Sequence, residues 1–215
     1  MNCKKKRVQG LGVGRWDNLS HLSELFSING RLNIYKLKHN FRQTYELGNC
    51  SYNYRQLALH REVVDIKDEY FYNQKGFNKP NLSFIGDVSD FKNAVESKIQ
   101  FIKDDFTDIF PVVVFYENSN SLERMKVVLE SYNISFSVEY ETERKGEVEF
   151  VSIRNIAGRE FTVVIAPLSN NTPENIIYIM LSRAKYDLTL ITGADRKVDN
   201  HIRKLMELNF IVSNG

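Results

Sequence analysis

The chain has 215 residues, 42% hydrophobic and 26% charged, a composition typical of one large globular domain. Its 29 basic residues nearly match its 27 acidic ones, so the formal charge of +2 excludes a uniformly basic nucleic-acid-binding surface. No apolar stretch approaches the roughly twenty residues that span a bilayer, and the N-terminus lacks a signal peptide's apolar core, so we expect a cytoplasmic protein with no membrane partner.

Cysteine and histidine are too few and too scattered for a metal site or a disulfide framework. Cys3 and Cys50 are the two cysteines, and the four histidines have no metal-ligand spacing. No Gly-x-x-x-x-Gly-Lys-Ser/Thr sequence is present, so the chain has no phosphate-binding loop of its own. The sequence therefore predicts no metal site.

In chain order, residues 1–16 are predicted to be a flexible, basic and glycine-rich N-terminal segment. A helix is predicted over residues 17–28, behind a good N-cap, and a strand over 33–38. A second helix is predicted from Thr44, as its cap, to about residue 60. Residues 61–80 are predicted to be irregular or edge-like.

From residue 82 onward, short apolar strands alternate with amphipathic helices. Strands are predicted near 82–85, 112–115, 134–139, 147–153, 162–166 and 188–191, and helices near 89–106, from 119, and near 172–183 and 198–208. This alternation is typical of an α/β fold with a mostly parallel sheet and helices on both faces. Ligands of such sheets bind at the carboxyl ends of the strands.

Three segments contain residues suited to nucleotide chemistry. In residues 37–44, Phe41 could stack on a base while Arg42 reaches phosphates. In residues 150–161, a polar loop between two strands, Glu160 is available to a ribose hydroxyl. Arg183 ends an apolar helix just before a strand, where a fixed guanidinium could reach a phosphate. Taken singly, Phe41 could be core, Glu160 could pair with a neighbour, and Arg183 could cap its helix.

Taken together and in order, the three segments resemble a known set of motifs. Leu-x-x-Asn-Phe-Arg, then Ser-Ile-Arg-x-x-x-Gly-x-Glu-Phe, then Tyr-Ile-Met-Leu-Ser-Arg-Ala-Lys is similar to motifs IV, V and VI of the UvrD/Rep-like superfamily 1 DNA helicases. The resemblance implies that residues 17–215 are the second RecA-like domain, a P-loop NTPase fold without its own P-loop. It implies the C-terminal motor domain of an ATP-dependent DNA helicase.

The resemblance also implies roles in an ATP site. Phe41 would stack on adenine, and Arg42 and Arg183 would be the arginine fingers that approach the γ-phosphate. Glu160, preceded by Gly158, would bond the ribose. We expect these residues to converge on one edge of the sheet, at the carboxyl ends of the strands.

A second set of residues is implied to contact single-stranded DNA. Ser152 and Arg154 stand where the family usually has threonine and histidine, and a hydroxyl and a guanidinium remain suitable phosphate ligands. Asn118 belongs to a segment, residues 115–119, that resembles less specifically another part of the family's DNA track.

The chain also departs from the family pattern. Ala157 and Arg159 replace the usual lysine and leucine beside the motif V glycine. The family's accessory subdomain would be absent, or reduced to a short hairpin near residues 140–151. The Walker motifs are missing, so ATP and its magnesium ion would be held largely by an N-terminal RecA-like domain, in cis or in trans. The isolated chain is expected to be inactive as an ATPase.

Two alternatives stay open. The chain could be a non-hydrolysing, helicase-like module that binds nucleic acid or a protein partner, and the departures at Ala157 and Arg159 favour this somewhat. It could also be an unrelated α/β domain whose motif matches are accidental.

Overall fold

The computed structural model describes residues 40–64, 66, 71–73, 78–140, 146–194 and 197–214. All of them belong to one compact unit, Lys38–Gly215. The predicted N-terminal segment, the helix over 17–28, the strand over 33–38 and the domain boundary at residue 17 lie outside the described residues.

Nine strands are present in the described residues. The first two, β1 (Asn40–Thr44) and β2 (Phe71–Asn73), form a separate parallel pair. The other seven form one sheet in which every described pairing is parallel. They are β3 (Asn81–Ile85), β4 (Val112–Tyr116), β5 (Phe136–Val138), β6 (Val148–Ser152), β7 (Phe161–Pro167), β8 (Ala184–Gly193) and β9 (Val212–Asn214). Their order across the sheet is β5-β6-β4-β7-β8-β3-β9.

Within the described residues, five helices cover both faces of this sheet. They are α1 (Tyr45–Ala58), α2 (Val88–Asp105), α3 (Ser119–Ser131), α4 (Glu174–Leu181) and α5 (Asn200–Glu207). Helices α1, α4 and α5 contribute to one hydrophobic core, and α2 and α3 contribute to the other. Strand β4 serves both cores, because Val113 and Phe115 face the first while Val112 and Val114 face the second. The predicted α/β fold, with a parallel sheet and helices on both faces, is confirmed.

Three strands were not predicted at their positions, and a fourth is longer than predicted. Residues 40–44 form β1, although the neighbouring strand was predicted at 33–38. Strand β2 lies within residues 61–80, for which no strand was specified, and β9 was not predicted at all. Strand β8 begins at Ala184, four residues before its apolar run, because the buried Asp187 interrupts the apolar pattern. Asp187 is tolerated inside the sheet because Lys98 of α2 lies 2.7 Å from its carboxylate.

The predicted hairpin near residues 140–151 falls partly on residues 141–145, which the structure does not describe. The flanking strands β5 and β6 run parallel, so they do not form a hairpin with each other. The returning chain passes close to β5, because a Cβ atom on Gly146 would overlap the backbone of Phe136. This close approach is the reason for a glycine at this position.

Three of the five helix starts in the described residues follow the expected capping chemistry, whereas α1 and α4 have no side-chain capping hydrogen bond. Asp87 and Asn118 form capping boxes at α2 and α3, and Asp199 caps α5. Thr44 does stand at the N-cap of α1, as predicted, but its side chain makes no capping hydrogen bond.

Candidate functional site

Glu160 and Arg183 each immediately precede a strand, and the two strands are neighbours in the sheet. Strand β7 begins at Phe161 and β8 begins at Ala184, opposite each other in parallel register. The Phe161 amide donates to the Arg183 carbonyl at 3.0 Å. Nη1 of Arg183 donates to the Arg159 carbonyl at 3.2 Å. The predicted ribose-binding acid and one predicted arginine finger therefore lie at the same edge of the sheet.

This edge is opposite to the one predicted from the sequence. Glu160 and Arg183 lie at the amino ends of β7 and β8, whereas the expectation was the carboxyl ends. The physical reason is the direction of the chain. Because β7 and β8 are parallel, the residues that precede them both lie at the amino edge of the sheet, whereas ligands of parallel sheets usually bind at the carboxyl edge.

Strand β1, which carries Phe41 and Arg42, is tied to the same edge by Gln43. The Gln43 side-chain amide donates to the carbonyls of Leu181, at 3.0 Å, and Ala184, at 3.1 Å. These two carbonyls flank Arg183 in the chain. The structure describes the backbone of Phe41 and Arg42 but not their side chains, so the direction of the Arg42 guanidinium stays a prediction.

Gln43 was not recognised in the sequence. It is 3% exposed, and its side-chain oxygen accepts a hydrogen bond from the Ser51 hydroxyl at 3.0 Å. Its partners Leu181 and Ala184 are far along the chain, and a main-chain carbonyl has no signature in a sequence. The only signal was a polar side chain directly after Arg42.

The carboxylate of Glu160 is accessible and lies beside a cation. Its Oε2 is 3.5 Å from Nζ of Lys185, and the two side chains are 31% and 39% exposed. An ion pair so open to water contributes little to stability, so a ligand can replace it with little loss. Gly158, two residues earlier, has φ of +80°, and open space lies where its Cβ would be. Backbone conformation is thus a sufficient reason for this glycine.

The predicted DNA-binding residues lie at the opposite edge, where β4 and β6 end. Tyr116 and Ser152 are paired in register there, and the Ser152 side chain is nearly buried while Arg154 is exposed. The Asn118 side chain accepts a hydrogen bond from the Ser121 amide at 3.0 Å, as the cap of α3. Asn118 therefore has a structural role whether or not it contacts DNA.

A groove of about 650 Å³ opens at this carboxyl edge, between the first turns of α2 and α3. Its lining combines apolar side chains with Asn118, Arg124 and the carboxylates of Asp87 and Glu117. Hydrogen bonds from the Ser89 hydroxyl and from main-chain amides hold the pKa of Asp87 below its usual range, so that carboxylate is charged at neutral pH. Two carboxylates against one guanidinium do not favour phosphate in this groove.

A buried glutamate, Glu139, also lies at the carboxyl edge and was not recognised in the sequence. Its side chain is 5% exposed, and one oxygen accepts hydrogen bonds from the Ser152 amide at 3.0 Å and from the Asn155 side chain at 2.9 Å. The Tyr116 hydroxyl lies 3.4 Å from the same oxygen. Burial, followed by the nearby Glu139 charge, raises the pKa of Tyr116, so the phenol stays neutral.

In the part of the chain that the structure describes, no three histidine, cysteine, aspartate or glutamate side chains are grouped so that they could hold a metal ion. Within the same residues, no helix combines the length and apolar character needed to cross a bilayer.

No protein-family model and no curated protein matches this chain. Among solved structures, it is similar to the C-terminal domain of a possible DNA helicase from Lactobacillus plantarum WCFS1, with a TM-score of 0.60 and 15% sequence identity. The likeness covers 82% of this chain and 99% of that domain. At this identity the likeness establishes the fold, an α/β parallel sheet consistent with the predicted RecA-like domain.

Proposed function

We propose that this chain is the second RecA-like motor domain of an ATP-dependent superfamily 1 DNA helicase. In this proposal a separate domain with Walker motifs holds the phosphates and magnesium, and this chain supplies arginines, a stacking aromatic and part of the DNA track. The similar fold of a domain from a possible DNA helicase supports a helicase motor role.

One observation carries the proposal: Gln43 joins β1 to both sides of Arg183. Motifs that are far apart in the chain thereby meet at the amino edge of the sheet. Their meeting is expected if Arg42 and Arg183 act on one phosphate, and an accidental motif match gives no reason for it.

The chemistry of the amino edge suits one half of a split ATP site. Arg183 is always charged and partly buried, so it can stabilise negative charge that develops on a transferred phosphoryl group. The carboxylate of Glu160 is accessible at this edge and can accept hydrogen bonds from ribose hydroxyls. Arg42 and Phe41 are assigned to the γ-phosphate and the adenine on the strength of the motif resemblance alone.

DNA is assigned to the opposite edge, at Ser152, Arg154 and Asn118. Arg154 is exposed and free to contact a backbone phosphate, whereas the acidic groove beside Asn118 is less suited to phosphate. Of the predicted DNA contacts, we therefore expect Arg154 to contribute most to affinity.

The proposal is tested by mixing the full chain with a candidate Walker-containing domain and measuring ATP hydrolysis with single-stranded DNA present. The wild-type chain should raise the rate of ATP hydrolysis. Arg183→Ala should lower this stimulated rate by about 10³-fold or more, as for other arginine fingers. Arg203→Ala, on the exposed face of α5, is the matched control and should leave the rise unchanged. An unchanged rate with Arg183→Ala would rule out the finger.

The second candidate function is a helicase-like module that binds nucleic acid or protein without hydrolysis. This function is favoured because two predicted site residues already have structural roles. Arg183 donates a hydrogen bond to the Arg159 carbonyl, and Asn118 caps helix α3. Binding of oligothymidylate by this chain, without any rise in ATP hydrolysis when the Walker domain is added, would favour this module.

A further inference from the structure

The loop of residues 153–160 connects the two candidate sites. It leaves β6 at the carboxyl edge, directly after Ser152, and enters β7 at the amino edge, directly after Glu160. A movement of this loop can therefore shift residues at both edges of the sheet. The inference below rests on the proposed function, because it concerns how a nucleic acid at one edge affects Arg183 at the other.

The start of this loop is held by Glu139, which lies just after β5. Glu139 Oε1 accepts hydrogen bonds from the main-chain amide of Ser152 and from the side chain of Asn155. Its Oε2 is 3.3 Å from Nη1 of Arg159, near the end of the loop. One buried carboxylate thus bonds both ends of the loop at the same time.

Arg159 extends the connection towards the amino edge. Its Nη2 lies 3.3 Å from Glu149 on β6, and its guanidinium carbon lies 4.9 Å from the centre of the Phe161 ring. Its main-chain carbonyl accepts the hydrogen bond from Arg183. A continuous series of polar contacts therefore runs from Ser152 through Glu139 and Arg159 to Arg183.

We propose that Glu139 and Arg159 are positioning residues that transmit nucleic-acid binding at Ser152 and Arg154 to the guanidinium of Arg183. A buried carboxylate that loses a donor is strongly destabilised, so Glu139 follows the Ser152 amide when a ligand moves it. Arg159 follows Glu139 because their charges are paired. The Arg159 carbonyl then shifts the position of Arg183.

Hydrogen exchange measured by mass spectrometry on the full chain, with and without oligothymidylate, tests this transmission. In the wild type, the oligonucleotide should change exchange at residues 150–156 and also at 178–186, the latter by about fivefold, the lower end of common coupling strengths. In Arg159→Leu and Glu139→Gln, the change at 150–156 should stay and the change at 178–186 should disappear. Glu139→Gln keeps the shape but replaces one acceptor with a donor.

Lys103→Gln is the control, because it removes an exposed ion pair with Glu147 outside this series of contacts; it should behave as the wild type. If exchange at 178–186 still responds in both variants, or does not respond in the wild type although DNA binds, the positioning role is overturned and the proposed function stands. If no oligothymidylate binds, the proposed function fails and this inference fails with it.

Discussion

The side-chain amide of Gln43 donates a hydrogen bond to the main-chain carbonyl of Ala184 at 3.1 Å. A second bond from the same nitrogen reaches the Leu181 carbonyl, so the end of α4 and the start of β8 are fixed with respect to β1. The short segment that contains Arg183 is held between these two bonds. Its geometry is therefore set by the packing of three elements.

Replacing Gln43 with leucine should destabilise the domain by about 1–3 kcal/mol, because buried carbonyls lose their donor. Urea unfolding at neutral pH measures this. Gln100→Leu is the matched control, since Gln100 is exposed on α2 and its side chain bonds to Asp104 one turn away on the same helix; it should change stability by less than about 0.5 kcal/mol. Equal stabilities for the two variants would contradict the role of Gln43.

Removing one partner of the Lys98–Asp187 pair should have a larger effect. Asp187 is 2% exposed and Lys98 14% exposed, so Asp187→Ala leaves an uncompensated, largely buried ammonium, and we expect a loss of about 3–5 kcal/mol. The double variant Lys98→Met with Asp187→Leu should recover most of this loss, because neither charge then remains. A double variant less stable than Asp187→Ala would contradict this account.

Gly146→Ala should destabilise the domain, because the added methyl group would overlap the backbone atoms of Phe136. Backbone atoms, unlike the end of a flexible side chain, cannot rotate out of the way. The expected loss is about 1–3 kcal/mol, as for other overpacked sites. Thermal and urea unfolding both measure it. No loss would mean that the chain after residue 146 can move away from β5 without breaking the sheet.

Gly158→Ala and Gly158→Asn together separate two roles of that glycine. Alanine should reduce stability by about 1–2 kcal/mol because φ is positive, and asparagine, which adopts this conformation more readily, should reduce it less. If a nucleotide also approaches this backbone closely, Gly158→Asn should weaken ATP hydrolysis in the two-domain assay although stability is kept. Full activity with asparagine would leave backbone conformation as the only role.

Stability should fall in acid partly through Asp87. Its folded pKa is lowered from 3.8, the Ser89 hydrogen bond being the largest cause. A lowered carboxylate pKa contributes stability above the unfolded value and loses it as pH falls through the folded value. The stability difference between wild type and Asp87→Asn should therefore be constant above about pH 5 and shrink below about pH 4. A difference independent of pH would contradict the role of the charge.

The sequence by itself determined the fold class and most of the elements. The continuous apolar run at 112–115 required a strand buried on both faces, and the apolar spacing of α2 and α3 predicted helices over a sheet. These patterns are local consequences of the periods of 2 and 3.6 residues, so they can be recognised in a single sequence.

Only the tertiary structure decided where the predicted site residues lie. Strand order and direction placed Glu160 and Arg183 at the amino edge and Ser152 and Arg154 at the carboxyl edge. The same packing brought Gln43 to Arg183 and buried Glu139 against the loop that joins the edges. These relationships depend on main-chain groups far apart in the chain, and a main-chain amide or carbonyl is the same in nearly every residue.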